Sequence, residues 1–167
     1  MGRIAKIKRR LVDFKHKTHQ AMLAEKIRRQ VGECGENLQV FGDVEISIPL
    51  NVKIGNNCKL NSKTYINARN GVILGDDVSV SYGVKLLSTG YDIDKWVKTG
   101  VKEHKAEEPV YIGNHCWIGA GATILPGVKI TGEYVVIGAD SVVTGDVTQS
   151  KVILAGSPAR IIKRIDD

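Results

Sequence analysis

From Ile112 the chain places a large aliphatic residue at every sixth position: Ile112, Ile118, Ile124 and Ile130 head the segments IGNHCW, IGAGAT, ILPGVK and ITGEYV. After one extra residue the pattern resumes at Ile137 as IGADSV and VTGDVT. An earlier block reads IGNNCK, LNSKTY and INARNG from Ile54, Leu60 and Ile66, followed by LGDDVS and VSYGVK from Leu74 and Val80. A helix would need apolar recurrence at three or four, and a hairpin sheet strict alternation with turn pairs. Neither template fits. A six-residue unit with one aliphatic, a following Gly or polar residue and a small or β-branched residue further on fits a flat strand ending in a short turn. Three such units close a triangular coil of roughly eighteen residues with the aliphatics inside, and stacked coils make a parallel β-helix. The general preference for right-handed parallel crossovers predicts a right-handed coil.

Two stretches break the pattern. Between Leu87 and Pro109 the text STGYDIDKWVKTGVKEHKAEE holds no hexad and is mostly polar. A polar excursion of this length from a regular solenoid points to function, so residues 88–108 are the candidate catalytic loop. Residues 3–29 instead show 3-4 spacing at Ile4, Ile7, Leu11, Phe14, Thr18 and Ala21 with cations between them, which predicts an amphipathic helix. The expected organisation is a basic helix over 1–30, the β-helix over 31–150 and a C-terminal tail over 151–167.

At 167 residues there is room for one core only. Aromatic residues make up 5% while Gly numbers 18, as a narrow aliphatic prism with many turns requires. The formal charge of +6 suggests nucleic acid until it is mapped along the chain. Residues 1–30 carry ten basic against two acidic groups, so the helix alone is +8 and the remainder −2. The body therefore lacks the basicity of a nucleic-acid-binding domain. The helix has three readings: a cap on the open end of the solenoid or a packing element between copies, an anionic membrane surface, or nucleic acid. Cys34, Cys58 and Cys116 form no CxxC pair and are odd in number, which suggests neither a disulfide framework nor a thiolate metal site, and fits a reducing compartment. The expected location is cytoplasmic, with residues 1–30 offering a peripheral contact to the inner face of the membrane.

The hexads together with PVYIGNHCWIGAGATILPGVKI, VIGADSVVTGDV and the ending VILAGSPARIIKRI closely resemble the hexapeptide-repeat acyltransferases, in particular their galactoside, maltose and polysaccharide O-acetyltransferase branch. The resemblance covers roughly residues 50–165. It implies an all-β fold, a left-handed parallel β-helix of hexapeptide repeats preceded by the amphipathic helix, in place of the right-handed coil. It also implies a homotrimer with active sites between neighbouring prisms and acetyl-CoA as acyl donor; no metal is expected from the cysteine and histidine spacing. Carried over by position, Trp117 matches a tryptophan lining the pantetheine channel, and Ala120 and Ala139 match sites whose backbone bonds the pantetheine amides. Thr144 and Arg160 match positions near the nucleotide end of CoA, where Lys129, Lys151, Lys163 and Arg164 add charge. Asn61 matches a position that contacts the sugar acceptor, but the acidic partner expected eight residues later is Arg69 here. Tyr91 is a second candidate for the acceptor.

The departure that matters most concerns the base. Galactoside and maltose relatives carry a histidine directly after the Thr-Gly that opens the loop, whereas here Thr89-Gly90 is followed by Tyr91. Acetyl transfer to a hydroxyl needs a group that titrates near neutrality to take the proton, usually histidine. His16 and His19 sit in the basic helix, and His115 lies in a hexad at an outward position. His104, inside the excursion, is therefore expected as the general base, with Asp92 or Asp94 orienting its ring and a backbone N–H facing the oxyanion.

The function expected from these residues is acetyl-CoA-dependent O-acetylation of a sugar hydroxyl, in surface-polysaccharide or lipopolysaccharide synthesis. Two alternatives stand beside it: N-acylation of an amino sugar, and a structural β-helix without chemistry. A carbonic-anhydrase-type β-helix needs three histidines on a metal, which two non-helical histidines cannot supply.

Overall fold

The computed structural model describes residues 3–105 and 108–165, with side chains of the first helix described at positions 6 and 12 and from 15 onward. Helix α1 (Arg3–Gln30) leads into a parallel β-helix of three sheets. Sheet A stacks Glu33–Cys34, Val52–Ile54, Val72–Leu74, Val110–Ile112 and Lys129–Ile130. Sheet B stacks Gln39–Val40, Lys59–Leu60, Ser79–Val80, Trp117–Ile118, Val136–Ile137 and Val152–Gly156, and ends on an antiparallel strand, Ala159–Arg164. Sheet C stacks Val44–Ser47, Thr64–Asn67, Lys85–Leu87, Thr123–Ile124 and Val142–Val143. Residues 151–165 thus extend sheet B instead of trailing from it.

The register shows why the hexads were visible. Ile54, Leu74, Ile112 and Ile130 are partners in sheet A. Val40, Leu60, Val80, Ile118, Ile137 and Leu154 are partners in sheet B. Ile46, Ile66, Leu86, Ile124 and Val143 form the column of sheet C. Most of these side chains are completely buried. Each coil therefore covers the apolar top of the one before it. The coils differ in length: Val52 pairs with Val72 and Val72 with Val110 across the excursion, while Ile112 pairs with Ile130, so the early coils are two residues longer than the expected eighteen. The extra residues lie at the turn from sheet C to sheet A, where Asn67–Gly71 buries Ala68 and Pro49–Asn51 makes a short 3-10 turn.

At the edge between sheets A and B, one residue per coil adopts a left-handed conformation: Asn37, Asn57, Asp77, His115, Tyr134 and Lys151 all have φ between 55° and 57°. Asn and Asp tolerate this region best, and they fill the first three rungs.

The last turns of α1 close the open end of the prism. Ala24, Ile27 and Val31 are buried, Leu23 packs against the same cluster, and Arg28 Nη1 donates to the Gly35 carbonyl at 2.8 Å. This capping face differs from the stripe expected from 3-4 spacing. Thr18 and Ala21, at the described end of that stripe, are exposed, as is the neighbouring Met22, and the side chains of Ile4, Ile7, Leu11 and Phe14 lie outside the described residues.

Inside the A–B edge, Leu38, Cys58, Val78, Cys116 and Val135 form a further buried column. Burial pushes the Cys58 thiol from about 9 up to about 11. The folded state therefore favours the neutral thiol, so this contribution to stability is complete below the ordinary thiol pKa and is lost as pH rises from about 9 through about 11. In urea unfolding at stepped pH, Cys58→Val, which copies Val78, should keep the fold and show a smaller loss of stability across that window than the wild type. Identical slopes would refute the assignment.

Candidate active site

The excursion leaves the prism after Ser88, at the edge between sheets C and A, and returns at Pro109. Its first half turns into helix α2 (Ile93–Thr99), because Asp92 accepts from the Lys95 backbone N–H at 2.9 Å and Gly100, at φ 72°, ends the helix. The chain then doubles back. Tyr91 and His104 are antiparallel bridge partners, flanked by Asp92 N–H to Glu103 O at 2.9 Å and Lys105 N–H to Gly90 O at 3.0 Å. The two rings stack, with centroids 4.9 Å apart and planes 13° from parallel. An ion pair between Lys95 and Glu103 ties α2 to the returning segment, and the Lys102 ammonium lies 4.2 Å from the centre of the Trp96 ring.

The base of the excursion is anchored by Asn70. Its side-chain amide donates to Ser88 O at 2.8 Å and Lys105 O at 3.1 Å, and its backbone N–H donates to the buried Ser88 hydroxyl at 2.9 Å. One side chain thus holds both ends of the loop.

A second set of residues runs along sheet B and the edge between sheets B and C. Trp117 stands outward and half exposed, with its indole N–H donating to Ser81 Oγ in the preceding coil at 2.9 Å. That bond pins the ring and leaves its faces open. At the adjoining edge Ser62, Tyr82, Ala120 and Ala139 occupy equivalent places in successive coils, and the last two carry only methyl groups. Among the described residues the amide N–H groups of Ala120 and Ala139 have no acceptor, which leaves two donors one coil apart, about 4.8 Å, on this exposed edge. Further along, Thr144, Gly145, Asp146, Gln149, Ala159 and Arg160 line a cavity of about 360 Å³.

These two sets lie apart on one chain. In a triangular prism the edge between C and A stands opposite face B, so His104 and Trp117 belong to opposite sides. The contacts that hold the excursion stay near its own edge: Asn70, Pro126 under Gly90, and Lys129, whose ammonium is 3.9 Å from Glu108.

Residues 109–145 match the family of bacterial transferase hexapeptides with six repeats, and residues 51–88 match the hexapeptide repeat of succinyl-transferases. The galactoside O-acetyltransferase of Escherichia coli K12 is 36% identical over 141 residues, covering 84% of this chain and 68% of that protein. The chain belongs to the hexapeptide-repeat acetyltransferases. Among solved structures, a galactoside acetyltransferase in complex with coenzyme A superimposes with a TM-score of 0.73 at 35% identity, covering 84% of this chain and 68% of the other. A maltose O-acetyltransferase from Clostridium difficile 630 gives 0.71 at 30% identity, covering 84% and 73%.

Within this family frame the expected residues divide clearly. Trp117, Ala120 and Ala139 cluster on one edge, and Thr144 and Arg160 share the cavity at its end. Tyr91 and His104 meet directly. Among the described residues, neither Asp92 nor Asp94 hydrogen-bonds to the His104 ring: Asp92 caps α2, and Asp94 is exposed in its first turn. Asn61 donates to Val80 O at 2.9 Å on the B–C edge, while Arg69 lies at the turn from C to A. His115 belongs to the left-handed column of the A–B edge, where it stacks on Tyr134 at 4.5 Å and lies 3.5 Å from Asp77. That places it away from the excursion. Sequence reasoning missed Ser81, the partner of the indole, and Asn70, whose signal was the Asn-Gly pair ending a hexad. Asn70→Ala should raise hydrogen exchange and proteolysis across 88–105 while leaving the melting of the solenoid nearly unchanged; unaltered loop protection would show that Asn70 is not the anchor.

Proposed function

We propose that the chain is an acetyl-CoA-dependent O-acetyltransferase that acts on a sugar hydroxyl in surface-polysaccharide or lipopolysaccharide synthesis and works as a homotrimer. The observation that carries the assembly is the opposition of His104 and Trp117 across one prism. A site using both needs the excursion of one copy beside sheet B of another. The exposed apolar face of α2, formed by Ile93, Trp96 and Val97 with Val101 following, supports the same arrangement, since a surface of this kind is suited to burial between subunits.

The B–C edge fits a long thioester cofactor. The open indole face offers apolar contact to the pantetheine arm, the Ala120 and Ala139 amides suit its carbonyls, and Arg160 with Thr144 suits its phosphates. Acetyl-CoA, when bound, supplies the activated acyl group. The protein's part is to hold the sugar hydroxyl beside His104, whose imidazole accepts the proton and so makes the oxygen nucleophilic. General-base assistance of this kind is worth about 10²–10⁴ in rate. Asn61 and Tyr91 are the residues proposed to meet the acceptor.

His104→Ala should lower turnover by about 10²–10⁴ while leaving acetyl-CoA affinity intact, and Trp117→Ala should weaken that affinity. Each protein alone is expected to be nearly inactive at limiting cofactor. Co-assembled in equal amounts, they should recover about a quarter of the wild-type rate, since one site in four pairs an intact His104 with an intact Trp117. Absence of recovery in verified mixed trimers would overturn the shared site.

Helix α1 supports a peripheral contact with an anionic membrane, which suits a lipid-linked acceptor. Among the described residues no helix is long and apolar enough to cross a bilayer. At 100° per residue, positions 4, 7, 11, 14, 18 and 22 share one side of the helix and positions 24, 27 and 31 lie broadly opposite. The second group is buried on the solenoid, and Met22 in the first is 67% exposed. On a helical wheel the first group of positions is flanked by positions 3, 8, 10 and 15, all cationic in the sequence. Two such helices repel each other, whereas anionic lipid neutralises them. Sedimentation with phosphatidylserine-containing vesicles should fall steeply with salt and be lost on deletion of residues 1–20, which leaves the capping turns in place. Equal sedimentation after deletion would refute the contact.

A further inference from the structure

His104 has an unusual support for a group that must hand a proton along a fixed direction. Its backbone is pinned, because the bridge to Tyr91 is bracketed by the Asp92–Glu103 and Gly90–Lys105 hydrogen bonds. Its ring is exposed, and among the described residues no hydrogen bond reaches it. The carboxylate nearest in sequence to Tyr91, that of Asp92, is engaged by the Lys95 N–H. What limits the imidazole is the phenol ring lying parallel to it at 4.9 Å.

We propose that Tyr91 is the positioning residue for the base, and that positions 91 and 104 form one functional unit in which either can carry the imidazole. The inference rests on the reading of His104 as the base. Directly opposed residues of an antiparallel pair project from the same face with Cβ atoms about 5 Å apart. A ring at position 91 and a ring at position 104 therefore reach neighbouring points of the same space. Tyr91 covers one face of the imidazole and holds its plane, and with it the in-plane direction of the nitrogen lone pair that must meet the hydroxyl proton. The contact is made by the ring face and not by the phenol oxygen, which predicts that phenylalanine serves as well as tyrosine.

The test uses full-length protein, with acetyl-CoA binding and thermal melting measured on every variant to confirm that it is folded. Tyr91→Phe, which keeps the stacked ring, should lower kcat by no more than about threefold, with loss of any phenol contact to the acceptor appearing in KM for the acceptor. Tyr91→Ala should lower kcat by about 10- to 100-fold with KM for acetyl-CoA unchanged, the signature of a misdirected but present base. In the His104→Ala background, Tyr91→His should raise turnover by at least about tenfold, because the imidazole returns to the same space from the opposite strand. A folded, CoA-binding double variant as inactive as His104→Ala would overturn the functional unit and leave the base assignment standing. Equal losses in Tyr91→Phe and Tyr91→Ala would overturn the stacking role. Full turnover in His104→Ala would instead overturn the base assignment, and this inference with it.

Discussion

A triangular coil admits one large aliphatic side chain per face, and that steric limit governs the rest of the molecule. Ile118 must sit over Ile137 and under Val80, all three fully buried, because nothing else can cover them. The inward positions are consequently committed to packing at a period of six. Outward positions such as Trp117 and Lys59 are released from it, and so are the edges, where one residue per coil turns the chain. Chemistry can therefore change at the edges and on the faces without any change in the core, the division that a packed interior imposes on a solenoid.

The same limit explains what could be read without coordinates. Inward residues recur at a period that no other fold requires, so the coils, their aliphatic core and the point of interruption were all legible. Coil length was less so. The two extra residues of the early coils sit at the turn between sheets C and A, where Ala68 takes the inward place, and a small residue there carries no periodic signal. The capping face of α1 was also hidden. Ala24, Ile27 and Val31 lie on a different side of the helix from the longer stripe, and the longer stripe dominates the pattern.

In the site, legibility followed the kind of contact. Trp117, Ala120 and Ala139 came from the family resemblance, and they lie together because they sit on the rigid solenoid, whose register determines which neighbours they have. Residues of the excursion obey a local register instead. Asp92 looked available to orient a histidine, but a carboxylate directly before a helix finds the free N–H groups of the first turn closer to hand. Tyr91 and His104 are separated in sequence by the whole of α2, and only the doubling back of the chain makes them partners. No spacing rule would connect them, because the length of a capped helix can vary without altering the pairing at its base.

That arrangement bears on how a base can move within a family. A missing histidine after Thr89-Gly90 reads at first as lost chemistry. Across an antiparallel bridge, however, loss on one strand can be balanced by gain on the other, since the two side chains share one space. The requirement is that the bridge itself be held, and here it is held from below by Asn70, which bonds Ser88 and Lys105 on the two strands at once. The anchor belongs to a coil of the solenoid and not to the loop. A histidine could therefore pass from one strand to the other while the rigid frame kept the imidazole facing the same edge.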